Sequence, residues 1–107
     1  MSIDRNGKQG GRFHCNDGWN ISVVWGSYTY CSPRTDNALF YLEVEAGFPS
    51  TYEGDIIDYA EEPEDYTGTV YGYVPVELLL EVFKKHGGVR HFASYDGSKL
   101  GFVKFII

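Results

Sequence analysis

TVYGYVPVELLLEVFKKHGG, residues 69–88, decides the fold. Its first residues read as a strand, and Pro75 then stands where a first helical turn tolerates a residue without an N–H. Val76, Leu79, Leu80 and Phe83 recur at helical spacing as one apolar stripe, which Leu78 and Val82 widen. Glu77 near the start and Lys84, Lys85 and His86 at the end suit the helix dipole, and Gly87-Gly88 offers a left-handed stop. The stretch predicts a strand and then a helix over 75–86 whose apolar face lies on a sheet.

The flanks supply that sheet. Downstream, VRHFASY, the Asp96-Gly97 turn and KLGFVKFII form a hairpin whose last strand offers Phe102, Val103, Phe105, Ile106 and Ile107. Upstream, GRFHC and WNISVVW flank Asn16-Asp17-Gly18, a turn able to take positive φ, and Trp19, Ile21, Val23 and Trp25 alternate onto one face. GSYTYCSPRTDN is an irregular connection. ALFYLEVEA then alternates Phe40, Leu42 and Val44 inward against Tyr41, Glu43 and Glu45 outward. Residues 1–10 are polar and Gly-rich and read as a flexible leader. Residues 11–107 read as a single α+β domain, a mostly antiparallel sheet of about five to six strands with one helix on a face. A hydrophobic content of 43%, with 17% aromatics, is well above that of disordered chains, so a core is expected.

Charge is distributed unevenly. Twelve acids and no base lie between Thr35 and Phe83, whereas the remainder holds three acids and all nine Lys and Arg. Binding to a nucleic-acid backbone shows as a basic face, so direct nucleic-acid binding is not expected. The field of the middle segment attracts a cationic partner instead. No apolar run reaches the roughly 20 residues that span a bilayer, and the chain start has no apolar signal region. A cytoplasmic protein with reduced Cys15 and Cys31 is expected.

Most of the acid is concentrated in STYEGDIIDYAEEPEDYTG, residues 50–68, inside a Gly- and Pro-broken loop at 47–68. Glu53, Asp55, Asp58, Glu61, Glu62, Glu64 and Asp65 share it with Tyr52, Ile56, Ile57, Tyr59 and Tyr66. Loops of such length are functional or disordered. A merely solvating segment needs no Ile or Tyr, whereas anchors surrounded by charge are what a protein-binding surface uses. The calcium-loop order is missing: Gly54 precedes the first Asp, and Ile56 and Ile57 occupy the interior. His14, Cys15, Cys31, His86 and His91 lack the paired spacing of zinc sites. Cys15 and Cys31 read as small core side chains, and His86 as a helix cap. With no nucleophile elbow or phosphate loop, the chain reads as non-enzymatic, with no catalytic residue, metal or cofactor. Tyr28, Tyr30, Tyr41, Tyr71 and Tyr73, at alternate positions, either line an exposed sheet face or pair across strands.

NDGWNISVVWGSYTY, ALFYLEVE and TVYGYVPVELLLEVF, within residues 11–85, resemble a group of small, mostly uncharacterised single-domain proteins of tailed phages and mobile elements. The resemblance implies a context in which such proteins antagonise host enzymes or immune systems. The acidic insertion at 47–68 departs from that group. The expected function is a phage-type inhibitor, of anti-CRISPR or other anti-defence kind, that blocks a basic nucleic-acid-binding surface of a host protein or defence complex. Its partner-binding residues are the seven carboxylates with Tyr52, Ile56, Tyr59 and Tyr66. The alternatives are a nucleotide- or sugar-binding module using the aromatic sheet face, or a phage assembly accessory. A homodimer is compatible with each.

Overall fold

A computed structural model describes residues 9–95. Five strands and one helix follow in the order β1 (Gln9–Cys15), β2 (Asn20–Trp25), β3 (Glu43–Gly47), β4 (Val70–Pro75), α1 (Val76–Lys85) and β5 (Val89–Ser94). The strands make one antiparallel sheet ordered β4-β3-β2-β1-β5. The first four form a meander, and α1 carries the chain back across the sheet so that β5 joins β1. The arrangement is the expected α+β class.

Periodicity explains the core. Phe13 faces Ile21 and Phe92 across its two neighbouring strands, and its ring meets those of Phe83 at 5.0 Å and Phe92 at 4.6 Å. Leu79, Val82 and Phe83 of the helix stripe are buried, with Val76, Leu78 and Leu80 partly so. Trp19, Ile21, Val23 and Trp25 are all buried, as their alternation predicts. Asn16-Asp17-Gly18 makes the β1–β2 turn, with Gly18 at φ 97°. Gly87 and Gly88 take φ near 90° and 88°, and the Gly88 N–H returns to the Phe83 carbonyl at 2.8 Å.

Four expectations change. The leader ends earlier, because Gln9 and Gly10 belong to β1. Gly10 is needed there: a Cβ would lie 2.2 Å from the Val23 carbonyl oxygen, so a glycine that suggests a linker instead allows close strand approach. The strand expected over 38–46 begins only at Glu43. Residues 38–42 are loop, held by a Leu42 N–H bond to the Ser32 carbonyl at 2.8 Å, and strand parity does not extend into them. Tyr41 therefore turns inward, its hydroxyl donating to the Thr35 carbonyl at 2.6 Å, while Phe40 and Leu42 are exposed. Glu45 keeps its face but is buried, accepting the Tyr30 N–H at 3.0 Å.

The third change concerns the acidic loop, whose backbone has defined local structure. It contains 3-10 turns at Ile57–Tyr59 and Pro63–Asp65 and is stitched to β4 by the Glu61 N–H to the Val70 carbonyl. Its Ile56 is completely buried, a core residue rather than the partner contact expected from sequence. The fourth is at the helix ends: α1 starts after Pro75, and His86 follows it. The Asp96-Gly97 turn and the strand Lys99–Ile107 lie outside the described residues.

If the loop belongs to the core, Ile56→Ala lowers the unfolding free energy by about 2 to 5 kcal/mol. Urea denaturation measures it, and a shift within about 0.5 kcal/mol, usual for surface sites, would contradict the burial.

Candidate functional site

Topology places the two long connections at opposite ends of the sheet. Residues 26–42 join β2 to β3 at one end and residues 48–69 join β3 to β4 at the other. Helix α1 runs between them. Its Val76 N–H bonds the Leu42 carbonyl at 2.9 Å, and its last turn reaches the acidic loop.

At that second end a chain of charges fixes the loop. The Glu53 carboxylate, 2% exposed, receives Lys85 Nζ at 2.6 Å on one oxygen and His86 Nε2 at 2.7 Å on the other. His86 Nδ1 meets Asp17 Oδ2 at 2.6 Å, and Lys85 also holds Asp55 at 2.9 Å. Trp19 stacks on the His86 ring at 4.4 Å, 7° from parallel, and its indole N–H donates to the Thr51 carbonyl. Three separate segments thus meet at the helix C-terminus: the β1–β2 turn, the acidic loop and α1.

The arrangement sets protonation. Burial pulls the His86 pKa down, but bonds to Glu53 and Asp17 on both ring nitrogens outweigh it, and the net shift is upward. Burial pushes Glu53 up, yet Lys85, His86 and the Asp55 N–H prevail and hold its carboxyl below the usual range. The Trp19 N–H and then His86 lower Asp17. Lys85 is raised by Glu53 and Asp55. Glu53 is therefore an internal counter-ion, not the surface charge expected, and His86 is a bridge as well as a helix cap. No local sequence signal marks this withdrawal, because the partners of Glu53 stand more than thirty positions away at Lys85 and His86.

The remaining predicted residues form a rim. Asp58, Glu61, Glu62, Glu64 and Asp65 are exposed and make no ion pair among the described residues, while Asp55 is exposed but shared with Lys85. Tyr52 and Tyr66 meet edge to face at 5.1 Å and, with Glu64, Asp65 and neighbouring hydroxyl residues, line an open cleft of about 590 Å³. Tyr59 is half-buried beside the core.

Two features escaped the sequence reading. His14 and His91 stand opposite each other on β1 and β5, rings 5.7 Å apart, and burial with the neighbouring His91, Arg12 and Arg90 charges lowers the His14 pKa. Only strand register could reveal that pair. The 26–42 connection also exposes Tyr28, Tyr30, Leu39, Phe40 and Leu42 beside Tyr73. The expected tyrosine face is divided, since Tyr41 and Tyr71 are buried.

Cys15 and Cys31 are both buried free thiols, and burial, then Asp17, pushes Cys15 up to about 11. Such a thiol is protonated and unreactive at neutral pH. Among the described residues no group of three or more His, Cys, Asp or Glu is placed to hold a metal ion, and no helix is long and apolar enough to cross a membrane. No protein-family model, curated protein or solved structure matches the chain.

The lock has a defined pH window. A raised His86 pKa contributes stability that is lost as pH rises through it, and lowered Glu53 and Asp17 values contribute stability lost as pH falls through them. The stability difference between the parent and His86→Gln is expected to peak at about 2 kcal/mol between about pH 5 and about pH 6. Chemical denaturation across pH measures it, and a flat difference would show that His86 carries no charge in the lock.

Proposed function

We propose that this protein is a non-enzymatic inhibitor or binding protein that presents its acidic loop to a basic, phosphate-binding surface of another protein. One observation carries the reading: Asp58, Glu61, Glu62, Glu64 and Asp65 are exposed without ion pairs among the described residues, on a loop anchored by Ile56 and Glu53. Anchoring matters because a pre-ordered loop loses less entropy on binding than a flexible acidic tail. Exposed carboxylates accept paired bonds from Arg, as phosphate oxygens do, and steer a cationic surface into register.

The partner residues of this reading are Asp55, Asp58, Glu61, Glu62, Glu64 and Asp65, with Tyr52, Tyr66 and the exposed part of Tyr59 as contacts. Glu53 and Ile56 support the loop from inside. The resemblance to small phage proteins supplies the context, in which the target is a nucleic-acid-handling host or defence factor.

The test is a pull-down from host lysate with the parent and with a variant changing Asp58, Glu61, Glu62, Glu64 and Asp65 to Asn or Gln, at about 0.1 M and about 0.5 M salt. A nucleic-acid-binding protein is expected on the parent at low salt, and to be lost with the variant or high salt. Equal capture by both proteins at both salts would sink the reading. Leaving Glu53 intact keeps the lock, so loss of capture is not loss of fold.

A further inference from the structure

The pole opposite the acidic loop carries a surface that folding does not explain. Leu39 is 92% exposed and Phe40 61%, on the same β2–β3 connection as the exposed Leu42, Tyr28 and Tyr30, and Tyr73 packs against Tyr30. Monomers rarely leave such side chains together in water. Backbone bonds hold three of them in place: Tyr73 donates to the Tyr30 carbonyl at 3.0 Å with the two rings 5.9 Å apart, and Leu42 bonds both Ser32 and Val76.

The supporting loop is fixed from within. Asp36 receives the Ser27 N–H at 2.8 Å, Tyr41 reaches Thr35, and Cys31 Sγ lies 3.3 Å from the Gly26 carbonyl. These are pre-ordered anchors, the kind that dominate interfaces. Tyr73 adds a second sign. It holds φ at 53°, in a bulge where two β4 residues oppose Glu45, and a bulky residue in that region costs on the order of 1 kcal/mol. Glycine would relieve the strain but remove the exposed ring.

Charge indicates the occupant. Arg34 is the one Lys or Arg between Arg12 and Lys84 in the sequence; it lies 5.7 Å over the Tyr30 ring and forms no ion pair among the described residues. Glu77, exposed and likewise unpaired among the described residues, follows Val76, which is bonded to Leu42. A patch with an apolar centre and unpaired charges of both signs can meet its own copy about a two-fold axis, Arg34 facing an acid each way. A chain of net charge −6 must also keep its acidic segments apart when it self-associates, and contact through this pole leaves the two acidic loops at the far ends.

We infer that this pole, built from residues 28–42 and Tyr73, is the interface of a homodimer. The inference is independent of what the acidic loop binds. Light scattering coupled to size exclusion at about 100 µM, a hundredfold above a micromolar Kd, tests it. The parent is expected at twice the 12.1 kDa chain mass, and Leu39→Ser/Phe40→Ser at the single mass with an unchanged circular dichroism spectrum. Arg34→Glu, which leaves the apolar centre intact, is expected to weaken the dimer at least tenfold. A parent that stays at the single mass, or a double variant that keeps the doubled mass, overturns the proposal.

Discussion

The structure depends on one burial: a carboxylate taken almost completely out of water at Glu53. An ionised acid in that position is costly unless it is paired and hydrogen-bonded on both oxygens, and Lys85 and His86 supply those partners from the last turn of α1 and its cap. The helix must therefore end where it does, with Gly87 and Gly88 turning the chain away immediately afterwards. The acidic loop must return under that end, and Asp17 must close the other side of the imidazole. Removing any one partner leaves the others poorly satisfied in a site that water barely reaches.

From that constraint follows a division of labour among the acids. Glu53 and Glu45 are interior, each used to hold backbone or a base in place, and Asp55 shares Lys85 with Glu53. The carboxylates beyond Ile57 are left to solvent. Net charge alone hides this distinction. The exposed side chains of the apolar pole at the other end of the sheet likewise lie outside the core, so the two surfaces are joined by the helix but do not compete for residues.

Much of the fold was legible because it rests on periodicity and turn chemistry. The spacing of Leu79, Val82 and Phe83 gave the helix its buried face, and the alternation from Trp19 to Trp25 gave β2 its own. The failures share a cause. Phe40, Leu42 and Tyr41 alternate as in a strand, but whether a stretch pairs is decided by what lies beside it, and the Ser32 bonds hold this one as loop until Glu43. Gly10 looks like part of a linker because composition does not report the backbone of the neighbouring strand β2, which a Cβ there would meet. Of the expected site, the exposed rim with Tyr52 and Tyr66 could be read from residue type, whereas the withdrawal of Glu53 and Ile56 could not: Glu53 depends on Lys85 and His86, more than thirty positions distant, and Ile56 on packing into a core that only the tertiary fold assembles.

The stacking of Trp19 on His86 gives the protein an optical property. An imidazolium quenches an indole in contact with it more strongly than a neutral imidazole does, and here the planes lie 7° from parallel. Trp25, the other indole, lies in the core away from that ring. Emission from Trp19 should brighten as His86 loses its proton and should also brighten if the acidic loop lifts and carries Glu53 away. The chain thus contains its own fluorescent gauge of loop attachment, readable without a label while a partner is titrated in.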